Sequence, residues 1–388
     1  MDDKRFLTGY HELHADPAVN FQLNRWINYL GPSALQEIRE IAPKLTDFPN
    51  FISEFIKLGD KALADARKLH AAYYYRSAEF FMFSDNPDKQ HYRNTFLRLV
   101  REHYTIDGKD YHAIPYTADG ISTTLPALRL PCKTPPLDTL VMFGGSDSYI
   151  EEFLPILVEL QQRGYDIVCF EGPGQGAVLE DARIPLTPHW NNPVKAVLDH
   201  FDLHDVTLMG ISMGGCLVVR AAAFEKRVKR VIAYDILYDS NIWLTKLKPM
   251  KRWMTERLLK LKAKRIINRS MYRAMDKSLQ LQWGIKHAMH IIGADTPYDY
   301  FSGLGEYVTG NISNLLDQDV LLMAGKEDFG VPLVQFYQQI EALKNVRSLT
   351  ARLFTREEQA QNHCQVGNLS LALDVITSWI ALTKRNYL

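Results

Sequence analysis

The sequence predicts an α/β protein whose mostly parallel, doubly wound sheet is preceded by a helical region and interrupted by a helical insertion. Three observations carry this expectation. From about residue 106, short β-rich runs alternate with helical runs, the pattern of parallel strands joined by crossover helices. Residues 21 to about 101 and 236 to 315 instead place apolar residues at three- and four-residue steps. Between a strand and a helix stands Gly210-Ile211-Ser212-Met213-Gly214-Gly215, a sharp turn with a hydroxyl at its tip.

The chain has 388 residues, 46% hydrophobic and 23% charged, which are globular proportions that exclude a disordered or fibrous protein. Forty-five basic residues balance forty-five acidic ones. No global field then draws the chain to nucleic acid or to an anionic membrane, and neither is expected as a partner; a charged partner must be met by a local patch. The start, MDDKRFLTGYHELHADP, has no apolar h-region. No run of eighteen uncharged apolar residues occurs. Cys132, Cys169, Cys216 and Cys364 show no CxxC spacing, so reduced thiols and a cytoplasmic location are expected.

In chain order, NFQLNRWINYL, ALQEIREI, the long run from Asn50 to Phe83 and YRNTFLRLVREHY are helical, broken at GPS, FPN and SDNPD. Tyr73, Tyr74, Tyr75, Phe80, Phe81 and Phe83 are expected to be core, with a pocket lining as the alternative. KDYHAIPYT and ISTTLPALRLP around ADG read as an antiparallel hairpin. The strands DTLVMF, YDIVCF, DVTLMG and VKRVIAYDIL follow with their helices, and after the insertion DVLLMAG and SLTARLF. Residues 246 to 277 carry twelve Lys or Arg against Glu256 and Asp276, with Met250, Trp253, Met254, Leu258 and Leu261 expected beneath the charges of an amphipathic helix. Its charged side reads as a solvated lid face or as a docking patch for an acidic partner.

A strand that turns sharply into a helix leaves no room for side chains beside its nucleophile, so the flanking glycines mark Ser212 as one. A nucleophilic serine needs a base, and the base an orienting acid. In folds with such a turn the acid follows a late strand and the histidine the last one. DVLLMAG ends in Lys326-Glu327-Asp328, and SLTARLF leads to Asn362-His363-Cys364. Asp328 and His363 therefore complete the order Ser, Asp, His; Glu327 and Asp235 are the rivals for the acid. Gly144-Gly145 follows TLVMF, where a backbone N–H from Gly145 would join that of Met213 in an oxyanion hole; a plain tight turn is the alternative. Glu171-Gly172-Pro173-Gly174-Gln175-Gly176-Ala177 matches a dinucleotide fingerprint only superficially, because Pro185 and Pro188 follow where the first helix should run. No HExxH and no Cys/His ligand grouping is present. Neither cofactor nor metal is expected.

Taken together, Gly144-Gly145-x-Asp147-Ser148-Tyr149, Glu171 to Gly176, Gly210-x-Ser212-x-Gly214-Gly215 and His363-Cys364-Gln365-x-Gly367-Asn368 resemble one branch of the α/β-hydrolase superfamily. That branch includes 2,6-dihydroxypseudooxynicotine hydrolase, FrsA-like and acylaminoacyl-peptidase-like proteins, and fungal hydrolases that shorten polyketides. The likeness is specific over residues 110 to 388 and loose before them; Ile211 stands where the branch often has Arg or another polar residue. The resemblance implies a hydrolase core at 106–235 and 316–388. It also implies that residues 1–105 join an insertion, 236–315, in capping the active site. The implied activity is hydrolysis of an ester, an amide or a carbon–carbon bond beside a ketone.

The resulting expectation is a serine hydrolase acting through an acyl-enzyme on an aromatic or polyketide-like small molecule. Asp147 and Asp235, just beyond strand ends, would meet the substrate's polar groups unless they make structural hydrogen bonds. The competing readings are an acyltransferase or thioesterase served by an acidic carrier protein on the basic helix, an acylaminoacyl-peptidase-like enzyme, and a silent binding protein on the same scaffold. A homodimer is compatible with all of them.

Overall fold

The structure, a computed structural model, describes residues 6–385 apart from 119, 147 and 246. Five helices come first: α1 (Pro17–Leu30), α2 (Pro32–Ile41), α3 (Phe48–Ala64), α4 (Lys68–Phe80) and α5 (Lys89–Tyr104). Each of the first three has Pro in its first turn, where the missing N–H costs nothing. Asp16 and Asp47 cap α1 and α3 by accepting backbone N–H groups.

Eight strands form one sheet in the order β1-β2-β4-β3-β5-β6-β7-β8. The hairpin β1 (Tyr111–Ala118) and β2 (Ile121–Leu130) is antiparallel, and β2 pairs antiparallel with β4. The remaining pairs are parallel: β3 (Thr139–Phe143), β4 (Asp166–Phe170), β5 (Val206–Ile211), β6 (Val228–Tyr234), β7 (Asp319–Gly325) and β8 (Ser348–Phe354). The inner strands β4, β5 and β7 are buried along their whole length, as expected of strands covered on both faces.

The crossovers hold α6 (Leu154–Gln162), α7 (Gly176–Glu180), α8 (Asn191–His200) and α9 (Gly214–Ala222). Between β6 and β7 lies the insertion: α10 (Ile242–Thr245), α11 (Pro249–Lys260), α12 (Lys264–Met275), α13 (Leu279–Ile292) and α14 (Pro297–Gly303). α15 (Val334–Ala342) and α16 (Leu369–Arg385) complete the chain.

Two cores lie on the two faces of the sheet. On one, Val141, Val168, Leu208, Val231 and Val320 pack against α8 and α9. On the other, Leu140, Met142, Ile167, Met209 and Ile232 pack in one continuous cluster with Trp26, Tyr73, Phe96 and Trp379. The expected core aromatics of α4 are therefore core, Tyr73 and Tyr74 fully so, while Phe83 is half-buried. The N-terminal helices also reach the sheet domain through ion pairs, Arg25 and Arg76 to Glu152 and Arg101 to Glu151.

The basic segment differs from expectation. It is two helices, α11 and α12, and Met250, Trp253, Met254 and Leu261 stand in solvent instead of beneath the charges. The inner side of α11 is supplied by Leu258 and Leu259, which pack on Ile267, Met275, Ile285 and Phe301.

Candidate active site

β5 delivers Ser212 at φ +61°, a left-handed conformation forced by the abrupt change from strand to α9. Two glycines make the turn feasible: a Cβ on Gly210 would lie 2.0 Å from Gly214 O, and one on Gly215 would lie 1.7 Å from Asp235 O. The backbone closes by Ser212 N–H donating to Tyr234 O at 2.7 Å and Gly215 N–H to Ser212 O at 2.8 Å. The Ser212 hydroxyl is 2.7 Å from His363 Nε2.

His363 Nδ1 is 2.6 Å from Asp328 Oδ2. Asp328 is fixed from its other side, because its Oδ1 accepts the N–H groups of Gly330 (2.7 Å) and Val331 (2.9 Å). Glu327, the adjacent rival for the acid, turns to solvent and pairs with Arg356. Burial would discourage charge on both partners. The opposite charges and the hydrogen bond outweigh it, lowering Asp328 from its ordinary value and raising His363 well above its ordinary 6.5.

Asp235 corrects an expectation. Only 1% exposed, it lines neither cavity beside Ser212; it sits behind His363, with Oδ2 3.7 Å from Nδ1, and accepts the Cys364 N–H at 3.1 Å. Burial, and then the charge of Asp328, push its pKa well above the carboxylate range. Asp147 lies outside the described residues.

Gly145 lies against Ser212: a Cβ there would be 3.1 Å from Ser212 Cβ. Its N–H is donated to Ser148 Oγ at 3.2 Å. The Met213 N–H opens α9, where the first N–H groups of a helix have no partner within it. Sequence reasoning missed what holds this loop. Gln175, 1% exposed, donates from Nε2 to the carbonyls of both Gly144 (2.8 Å) and Gly145 (2.9 Å). Glu171 in the same turn accepts Ile150 N–H and Ala177 N–H. The glycine cluster 171–177 is thus a brace under the loop.

Two cavities meet at Ser212 and His363. One, about 240 Å³, is lined by Phe21, Arg25 and Tyr29 of α1 together with Phe153, Phe329 and Cys364. The other, about 380 Å³, is aliphatic, with Leu186, Leu237, Ala288, Ile291, Leu304 and Val331. The N-terminal helices and the insertion thus each wall one side of Ser212. The resemblance assigns residues 1–105 as a whole to the cap; that α1 supplies the lining is not legible in the sequence, where the aromatics of α4 are the candidates for a pocket instead.

Among the described residues, Asp235, Asp328 and His363 offer ligand atoms within 4.8 Å of one another. His363 has both ring nitrogens engaged, Nε2 with Ser212 and Nδ1 with Asp328, so it has no lone pair to spare for a metal.

A family model for the alpha/beta hydrolase fold matches residues 142–254, the segment that holds β5, the Ser212 turn and α9. The solved 2,6-dihydroxy-pseudo-oxynicotine hydrolase superposes over 92% of this chain and 94% of its own, with a TM-score of 0.61 and 17% identity. The chain has the α/β-hydrolase fold. Among curated relatives, hydrolyase poxO of Penicillium oxalicum is 30% identical over 272 residues, 63% of this chain and 62% of that protein. Alpha/beta hydrolase psoB of Aspergillus fumigatus is 27% identical over 347 residues, 76% of this chain and 75% of that protein. The match thus spans less than two thirds of the first relative's length. This α/β-hydrolase-fold chain carries its serine, histidine and two candidate acids on the carboxyl ends of β5, β6, β7 and β8, the edge where open α/β sheets bind ligands.

Proposed function

We propose that the chain is a serine hydrolase that attacks an ester carbonyl or the carbonyl of a β-dicarbonyl in an aromatic or polyketide-like small molecule. The observation that carries this is the unbroken hydrogen-bonded line Ser212–His363–Asp328 at the junction of the two cavities. His363 Nε2 takes the Ser212 proton as Oγ bonds to the carbonyl carbon, and Asp328 stabilises the imidazolium. Negative charge on the carbonyl oxygen is met by the Met213 N–H and by the Gly145 N–H, which turns from Ser148 to the oxyanion. The leaving group departs with the proton from Nε2, as an alcohol from an ester or as a ketone when a carbanion stabilised by a neighbouring carbonyl is released. Water, activated by the same nitrogen, frees the acyl group from Ser212.

The cavities support the substrate class. Both are mostly apolar and together hold a ligand of small-molecule size on either side of the reacting carbon. Short aryl esters, β-diketones and peptides offered under identical conditions test the reading, alongside fluorophosphonate labelling. Turnover of either of the first two classes, with both turnover and label lost in Ser212→Ala, is the expected result. Efficient peptide cleavage with no turnover of esters or β-diketones overturns the substrate assignment. An unlabelled Ser212 in folded, inactive protein overturns the catalytic one and leaves a binding protein.

A further inference from the structure

The outer face of the α11–α12 hairpin has a composition that the proposed catalysis does not use. Met250, Trp253 and Met254 recur at three- and four-residue steps on the side of α11 opposite Leu259, with Leu258 at the margin between the two. They are 70%, 56% and 52% exposed, and Leu261 and Ile266 extend the strip at 67% and 58%. Soluble surfaces seldom gather large apolar side chains this way without a partner. Around them, eleven Lys and Arg between 248 and 277 are all exposed, against two acids, of which Glu256 pairs with Arg252. Arg257 lies over the Trp253 ring, 5.5 Å from its centroid.

We propose that this hairpin seats the protein on an anionic lipid surface, with Trp253, Met250, Met254 and Leu261 entering the headgroup boundary and the surrounding cations meeting lipid phosphates and carboxylates. The expectation of no membrane partner rested on the chain's balanced net charge; the structure separates a strongly cationic face from the balancing acids elsewhere. Two features favour lipid over an acidic protein. The apolar side chains stand outward along a helix rather than lining a groove, and tryptophan beside arginine and lysine is the side-chain chemistry of the interfacial layer. No spanning segment is required, and no single helix among the described residues is long and apolar enough to cross a bilayer. The arrangement also connects to the cavities. α12 packs on α13 and α14, whose Ala288, Ile291 and Tyr300 wall the aliphatic cavity, so docking brings that wall towards the phase in which apolar molecules dissolve. The inference stands whether or not Ser212 is the nucleophile.

Co-sedimentation of the full chain with vesicles tests it. Mixed phosphatidylcholine–phosphatidylserine vesicles should carry the protein down at low salt, pure phosphatidylcholine vesicles should not, and high salt should release it. Replacing Lys251, Arg265 and Arg269 together by Gln should weaken binding about 100-fold, at roughly fivefold per charge. Trp253→Ser should weaken it about tenfold. Neither variant should alter turnover of a soluble aryl ester. Absence of sedimentation with the anionic vesicles overturns the proposal with the unmodified chain alone, as does binding that both variants leave unchanged. Capture of a purified acidic acyl carrier protein by the hairpin, with the vesicles ignored, overturns it in favour of a protein partner.

Discussion

Two carboxyl groups face His363, and exchanging each for its amide separates their roles. Asp328 Oδ2 is 2.6 Å from Nδ1 and Asp235 Oδ2 is 3.7 Å away. The first is a charge-assisted hydrogen bond; the second is beyond hydrogen-bonding distance. Asp328→Asn removes the anion and can present an amide N–H to Nδ1, which favours the tautomer with its proton on Nε2, where the Ser212 proton must go. A loss of about 10⁴ in kcat is expected, or about 5 kcal/mol of transition-state stabilisation. Burial and the neighbouring charge of Asp328 push the Asp235 carboxyl well above the carboxylate range, which favours its protonated form, able to donate to Asp328. An amide in its place keeps that donor and keeps an oxygen for the Cys364 N–H. Asp235→Asn should therefore cost less than about tenfold. The acid limb of kcat/KM adds an independent reading. If Asp235 is neutral, removing it leaves the limb in place; if it were ionised, its loss would take an anion from beside the imidazole and move the limb to lower pH. Aryl-ester hydrolysis over a pH series measures both quantities, with thermal unfolding as the control for folding. A loss of about 10³ or more in Asp235→Asn, with Asp328→Asn nearly active, would refute the assignment.

Other consequences follow from the same geometry. Gln175→Ala frees the carbonyls of Gly144 and Gly145 and should lower kcat by roughly 10- to 100-fold with little change in KM, since the loop positions an oxyanion donor; a change in KM alone would show that Gln175 shapes binding instead. His363 must be neutral to accept the Ser212 proton, and its pKa is raised, so kcat/KM should climb with pH through a midpoint above 6.5 that belongs to the Asp–Asp–His group as a whole. The same raised value means that the Asp328–His363 pair contributes stability below pH 6.5 and loses it as pH rises through the folded value, which thermal melts of the native protein and His363→Gln would display. Gly215→Ala places a methyl 1.7 Å from Asp235 O, a backbone clash that should destabilise the fold by about 3 kcal/mol or more and lower the melting temperature accordingly.

The sequence held more of the Ser212–His363–Asp328 line than of its surroundings, for a physical reason. Ser212, Asp328 and His363 sit just after parallel strands, and such strands are recognisable as short buried apolar runs, so their carboxyl ends locate the site. Which of several acids near those ends turns inward depends on the conformation of a few loop residues. Asp235 and Glu327 differ only in that, one sealed behind His363 and the other in solvent on Arg356. Periodicity is blind in another way. It marks Met250, Trp253, Met254, Leu258 and Leu261 as belonging together along one segment, but it does not say which apolar residues meet a neighbour, and here only Leu258 and Leu259 do. The role of Gln175 was hidden because its partners, two carbonyls thirty residues away, carry no sequence signature.

The N-terminal helices invite comparison with a removable lid, and the packing argues against it. Trp26, Tyr73 and Phe96 share one uninterrupted cluster with Tyr149, Ile150 and Phe153 before α6 and, through α6 and α16, with the strands, so removing these helices would bare a broad apolar surface on the sheet domain. Glu152, itself 1% exposed, is held by Arg25 and Arg76, so losing the helices also strips it of both ion pairs. Deleting residues 1–105 should therefore yield insoluble or unfolded protein rather than an open, unselective enzyme. The residues that wall the smaller cavity, Phe21, Arg25 and Tyr29, lie on the same helix that contributes Trp26 to that cluster. α1 consequently cannot leave the site without uncovering part of that apolar cluster. Changes in selectivity have to come from side chains along it, and Phe21→Ala, which opens the cavity beside His363 while leaving Trp26 in place, should broaden the range of accepted esters at a modest cost in stability.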